Sequence, residues 1–187
     1  MIGVLDESTP FDVDGSVVYA VAMVLVRVED RAAVESLVAR IFDRRRPFHW
    51  ERDRGVEVRG RMLSLLESAP IEIVVGATRC GTRGQAEARA VLLDRVVFPE
   101  ASGRVNSLVI ERRSRAENEL DGRLIRDWFR PTSQRIPGYE HVDKTEPLTW
   151  LADAASGIWS DALLNRCGGN LERIVASGRL VRGQLLI

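Results

Sequence analysis

At 187 residues the chain is long enough for one full hydrophobic core, and 45% hydrophobic with 29% charged residues is an ordinary globular balance. Its 27 basic and 27 acidic side chains cancel, so no whole-molecule field argues for a nucleic-acid partner. No apolar run approaches the ~20 residues of a membrane-spanning helix, there is no signal peptide, and two distant cysteines, Cys80 and Cys167, fit neither a disulfide framework nor a metal site, so a cytoplasmic protein with reduced thiols is expected.

The chain opens on Ile2-Gly3-Val4-Leu5-Asp6-Glu7-Ser8, an apolar run that ends in two carboxylates. Such a run reads as a buried strand. Residues 17–28 read as a valine-rich second strand, pairing with the first as a hairpin. Asp30 is an N-cap candidate for a helix carrying Ala33, Val34, Leu37, Val38, Ile41 and Phe42 at helical spacing. The run Arg44-Arg45-Arg46-Pro47 ends it. Phe48-His49-Trp50-Glu51 follows, and then a helix with Val56, Met62, Leu63, Leu65 and Leu66 inward, stopped by Pro70.

A third strand covers residues 71–78, and a turn with Gly81 and Gly84 leads to a helix over 85–98 that Pro99, Ser102 and Gly103 break. Residues 105–110 form a fourth strand, again ending in an acid, Glu111. A helix over 117–129 packs through Leu120, Leu124, Ile125, Trp128 and Phe129. After a loop bracketed by Pro131 and Pro137, residues 139–142 form a fifth strand leading to Asp143. Thr145-Glu146-Pro147 is a helix start with Thr145 as N-cap, and that helix runs to about residue 164, ended by Gly168-Gly169. The pattern predicts a single α/β domain over 1–187: a mixed sheet of about five strands flanked by helices, core 1–165, and a C-terminal tail over 166–187 in which residues 171–187 read as a short helix and a final extended piece.

If the first and fourth strands are parallel neighbours, Asp6 and Glu111 meet at the carboxyl edge of the sheet, where open α/β sheets place their sites. Asp153 lies beside the buried stripe of the last helix. Three converging carboxylates repel one another unless a cation lies between them, and hard oxygen donors suit Mg²⁺ or Mn²⁺. Two such ions about 4 Å apart activate water and stabilise a leaving oxygen in phosphodiester cleavage. Taken singly, each acid has a plain alternative: Asp6 capping a turn, Glu111 paired with the neighbouring arginines, Asp153 solvated on its helix. His49 is either a packing residue or a general acid–base. Asp143 is either a further metal ligand or a cap. The arginine runs at 44–46 and 112–115 are either solvated faces or phosphate contacts.

These segments resemble the family called domain of unknown function 3800 (DUF3800). Leu5-Asp6-Glu7-Ser8 is similar to its Asp-Glu-Ser-Gly strand end, with Thr9 in place of the glycine. Phe48-His49-Trp50-Glu51 resembles its short Glu/His segment. Val109-Ile110-Glu111-Arg112 resembles its later strand, with Glu111 where Asp is usual. Val142-Asp143-Lys144 and Leu148-Thr149-Trp150-Leu151-Ala152-Asp153 resemble its closing turn and helix, with Trp150 in place of Gln. The resemblance spans residues 2–164 and implies a ribonuclease H-like fold with Asp6, Glu111 and Asp153 as the metal cluster. It implies a metal-dependent nuclease acting on DNA or RNA, with Glu7, His49 and Asp143 in secondary roles. The alternatives are a non-catalytic binding module, with Trp150 as a platform that stacks on a base, and a hydrolase of a small phosphorylated metabolite.

Overall fold

The computed structural model describes residues 1–12, 14–42, 46–130, 136–166 and 169–186. The expectations placed on Arg44, Arg45, Pro131, Cys167 and Gly168 therefore lie outside the described residues. Six strands form one mixed sheet: β1 (Ile2–Ser8), β2 (Val17–Val26), β3 (Ile71–Cys80), β4 (Ser107–Glu111), β5 (Gly138–Val142) and β6 (Leu180–Leu186). Their order is β5-β4-β1-β2-β3-β6. β2 runs antiparallel to both β1 and β3, whereas β4 is parallel to β1, β5 to β4 and β6 to β3.

Side chains alternate across a strand, so β1 divides its residues between two cores. Ile2 and Val4 join Ala22, Val24 and Val26 under one helical layer. That layer consists of α1 (Arg31–Ile41), α2 (Val56–Ser68), α6 (Pro147–Leu163) and α7 (Asn170–Ala176). Leu5 joins Val21, Met23 and Leu25 under the other layer, built from α3 (Gln85–Leu92), α4 (Phe98–Ala101) and α5 (Arg115–Phe129). β2 is buried at every position. This explains its continuous apolar run, since a central strand covered on both faces has no polar side to show.

The strand and helix order is the one expected, with several corrections. The short helix and final extended piece expected beyond residue 165 are α7 and β6, and β6 joins the sheet edge beside β3 as a sixth strand, one more than the five expected. Gly183 lies in β6 under the ring of Trp159, where an added Cβ would stand 2.2 Å from Trp159 Cη2. Pro99 does not end the third helix. A π-helical turn over Leu93–Val97 precedes it, and helix continues through Phe98–Ala101. Proline has no N–H to donate and crowds the carbonyl one turn back, and a π turn relieves both problems. Val56 is 90% exposed rather than inward. Asp30 stands at the N-cap of α1 without a side-chain cap bond, and Glu146 rather than Thr145 is the N-cap of α6. The capping box sits instead on α5, where Ser114 and Glu117 satisfy each other's backbone N–H groups.

Candidate active site

The parallel pairing of Leu5 with Ile110 sets Asp6 beside Glu111 at the carboxyl ends of β1 and β4. Both acids take the face covered by α6, because they follow Leu5 and Ile110 of the opposite core. α6 packs on β1 and β2 and delivers Asp153 from above. Asp6 is 7% and Asp153 8% exposed.

Burial raises the pKa of Asp6 well above the usual carboxylate range, and the charges of Asp153, Glu111 and Glu7 raise it further; the Glu7 N–H at 2.8 Å opposes them. Burial likewise pushes Asp153 up to about 7, aided by Glu111 and Glu51 and opposed by the Trp50 N–H and Lys144. Burial away from water is the first cause of both shifts, and repulsion from neighbouring acids adds to it.

One cation already stands there. Lys144 Nζ, on the chain between β5 and α6, lies 2.8 Å from Glu111 Oε1. Burial works against its charge, but the Glu111 hydrogen bond and the fields of Glu111, Asp6 and Asp153 outweigh it and raise the pKa. Trp150 anchors this arrangement. It is 2% exposed and its indole N–H donates to the Lys144 carbonyl at 2.6 Å. Trp150 is therefore a core residue and not the base-stacking platform envisaged from its position.

The segment before α2 closes the site from the side. The Trp50 N–H donates to Asp153 Oδ2 at 2.6 Å, and its indole N–H donates to Asp161 Oδ2 at 2.8 Å. The Arg59 guanidinium lies over the Trp50 ring at 4.2 Å and reaches Asp161 at 3.1 Å. Gly157 makes room for this ring: a Cβ there would meet Trp50 Cδ1 at 2.3 Å. The missing side chain at Gly157 thus lets an aromatic ring lie directly on α6.

His49 is carried into the site by its neighbour Trp50. Its pKa is lowered by burial, then by Lys144 and Arg52, against Glu111 and Glu51, so the imidazole is neutral at pH 7. Its Nδ1 is buried without a hydrogen-bond partner among the described residues, and so is Glu51 Oε1. Buried polar atoms are normally satisfied by protein or water, so both atoms are available to a water or another group from outside the chain.

Two expected site residues are placed elsewhere. Glu7 follows Asp6 on the strand and so points to the opposite face. There it pairs with Arg89, and with Arg113 at 3.2 Å. Arg89 is 1% exposed and also binds Asp121 at 2.8 Å, while Arg113 reaches Asp121 at 2.9 Å. Burial opposes the Asp121 charge, but the two arginines prevail and lower its pKa. The Asp143 carboxylate is exposed and bound to Arg112 at 2.9 Å, away from the acid cluster. Conversely, Lys144 and Glu51 belong to the site although sequence reasoning gave them no role there; Glu51 was visible beside His49, and Lys144 as the one lysine in a chain otherwise cationic through arginine.

Asp6, Asp153 and Glu111 offer hard oxygen donors in excess of the single Lys144 charge, and Glu51, whose Oε2 is bound to Arg54 at 2.8 Å, adds the unpartnered Oε1. This donor chemistry fits a divalent cation. Among the described residues, no three His, Cys, Asp or Glu side chains converge closely enough to hold a metal as they stand; Glu111 is held by Lys144 and Asp153 by the Trp50 N–H.

No family model and no curated protein matches the chain. Among solved structures, a chain of the PCNA:RNase HII complex from Archaeoglobus fulgidus aligns at 16% identity and TM-score 0.49, over 96% of this chain and 89% of that one. A mutant protein of Bst-RNase HIII aligns at 18% identity and TM-score 0.45, and Bst-RNase HIII in complex with Mn²⁺ at 17% and 0.44. Each of these two alignments covers 94% of this chain and 55% of the other. The fold is α/β, a six-stranded mixed sheet between two helical layers, with the first strand central and a long helix laid across it.

Proposed function

We propose that the chain is a metal-dependent nuclease of the DUF3800 kind, cytoplasmic, in which Asp6, Glu111 and Asp153 hold Mg²⁺ or Mn²⁺ against a nucleic-acid substrate. The observation that carries this reading is the pair of buried carboxylates, Asp6 and Asp153, kept together against their repulsion. Burying unpaired carboxylates is costly, and a fold that keeps them signals a ligand that compensates. The buried unpartnered atoms of His49 and Glu51 support it as well. A bound divalent cation supplies charge neutralisation and activation of water for in-line attack at phosphorus.

The chain's own residues divide the remaining work. The Trp50 N–H orients Asp153. Lys144 neutralises Glu111 before a metal arrives and must release it. His49, neutral at pH 7, is available to accept the proton of the attacking water. Glu7 acts as a structural anchor of β1 through Arg89 and Arg113, and Asp143 through Arg112.

The test is cleavage of labelled single- and double-stranded DNA and RNA with Mg²⁺, Mn²⁺ or EDTA. Metal-dependent cleavage that disappears in Asp6→Asn and Asp153→Asn is the expected result; cleavage retained in either variant contradicts it. The Lys144–Glu111 pair favours a second reading, a binding module whose cluster is permanently neutralised by lysine. That reading predicts no cleavage and no response to metal.

A further inference from the structure

Beside the acid cluster, on the side of the sheet covered by α5, lies a second feature that the site does not use. A cleft of about 670 Å³ opens between α5 and the edge strand β5. Arg115, Glu119, Arg123 and Arg126 share one face of α5, at spacings of four, four and three residues. Tyr139 and His141 of β5 form the opposite wall, and Arg112 and Arg113 the end next to the acid site.

The cleft is lined by five arginines and a single carboxylate, in a protein whose total charge is zero. Arg113 is committed to Asp121, Glu117 and Glu7, Arg112 to Asp143 and Arg115 to Glu119. Arg123 and Arg126 are exposed and have no carboxylate partner among the described residues. Arg126 instead donates to the Tyr139 hydroxyl at 2.9 Å. Tyr139 is 37% exposed, and its ring rests directly on the helix because residue 122 is glycine. A Cβ there would stand 2.7 Å from the Tyr139 oxygen. An aromatic ring is thus held at the rim of a positively charged trough.

We propose that this cleft binds a single strand of nucleic acid, with its phosphates along the α5 arginines and a base stacked on Tyr139. Guanidinium forks suit phosphate oxygens, and a cationic trough with an aromatic platform is how single strands are held without sequence preference. The arginine stripe is about 16 Å long at 1.5 Å per residue, enough for about four or five phosphates at the 3.4 Å spacing of a stacked strand. The cleft also joins the acid cluster through the chain: Arg112 follows Glu111, and Arg113 holds the residue after Asp6. A strand lying in it reaches, at Arg112 and Arg113, the carboxyl edge of the sheet where Glu111 ends β4, with the acids on the opposite face. This inference rests on the nuclease reading for its purpose, but its test does not.

Binding is measured by fluorescence anisotropy of labelled 12-nucleotide single-stranded DNA and RNA in EDTA, so that neither metal nor cleavage enters. The Mn²⁺-induced rise in melting temperature is recorded on the same preparations. The wild type binds, with log K falling linearly against log salt. Arg123→Ala combined with Arg126→Ala weakens binding at least tenfold and reduces the salt slope by about 1.4, two contacts at about 0.7 each. Tyr139→Ala weakens it about tenfold and Tyr139→Phe leaves it near wild type. Absence of binding by the wild type overturns the inference, as do unchanged affinity and slope in the arginine variant. Displacement of the oligonucleotide by poly-L-glutamate at equal charge also overturns it, and assigns the cleft to an acidic protein. A metal response without oligonucleotide binding overturns this inference alone; binding without a metal response overturns the nuclease reading alone.

Discussion

Replacing Asp153 by asparagine is expected to make the metal-free protein more stable while removing its function. Asp153 rises from an ordinary 3.8 to about 7 in the folded protein. The folded chain therefore keeps its proton to about pH 7, whereas the unfolded chain releases it near pH 4. Between those values the folded state binds more protons, so stability is full at low pH and falls as pH rises through about 7. Three pKa units correspond to about 4 kcal/mol, shared in part with Asp6. About two of those units lie between pH 5 and pH 8, or about 2–3 kcal/mol. Asparagine keeps an oxygen to accept the Trp50 N–H but carries no charge. Urea unfolding in EDTA at pH 5 and pH 8 measures the difference. The wild type should lose about 2–3 kcal/mol more than Asp153→Asn across that interval. At pH 8 the variant should melt about 5–10 °C higher, at about 2–4 °C per kcal/mol for a chain of this size. An Asp153→Asn protein that is less stable than wild type at pH 8 without metal would refute the reasoning. It would mean that the carboxylate is held by partners rather than by the fold against its own repulsion.

Lys144→Met should leave the protein folded and shift the Mn²⁺ titration of melting temperature to about two- to fivefold lower concentration, because the ion no longer competes for Glu111; an unchanged midpoint contradicts this. Arg89→Met should cost about 3–5 kcal/mol in urea unfolding, since it strips a buried cation from Asp121 and Glu7; a loss below about 1 kcal/mol contradicts it. Gly157→Ala should cost about 1–3 kcal/mol by driving a methyl into the Trp50 ring. It should also lower cleavage through the displaced Trp50–Asp153 hydrogen bond. Wild-type cleavage in a destabilised Gly157→Ala protein would separate the ring's packing from the site.

The central sheet was legible because its strands are apolar runs closed by turn residues, and β2 in particular carries no polar alternation. Asp6 and Glu111 could be paired in advance because two strands ended in acids at the same end, and Asp153 because helical spacing put it beside the buried stripe. The final extended piece was legible, but its place in the sheet as β6 was hidden: Arg182, Gly183 and Gln184 interrupt its alternation, and Gly183 has its meaning only once Trp159 covers it. The π turn before Pro99 left no sequence mark. Glu7 was a different kind of miss. Strand alternation already separates it from Asp6, and the buried partner on its own face, Arg89, comes from a helix 82 residues away. Lys144 was overlooked because a cation among acids in sequence looks like any surface ion pair until Trp150 is seen fastening its backbone.

The most direct test of the account is a Mn²⁺ titration followed by electron paramagnetic resonance at pH 8, comparing wild type with Asp6→Asn and Asp153→Asn. Saturable loss of the free-ion signal with wild type, and not with either variant, is the predicted result, because both carboxylates belong to one cation site. Equal uptake by all three proteins, or none by the wild type, would contradict the claim that Asp6, Glu111 and Asp153 form a metal centre.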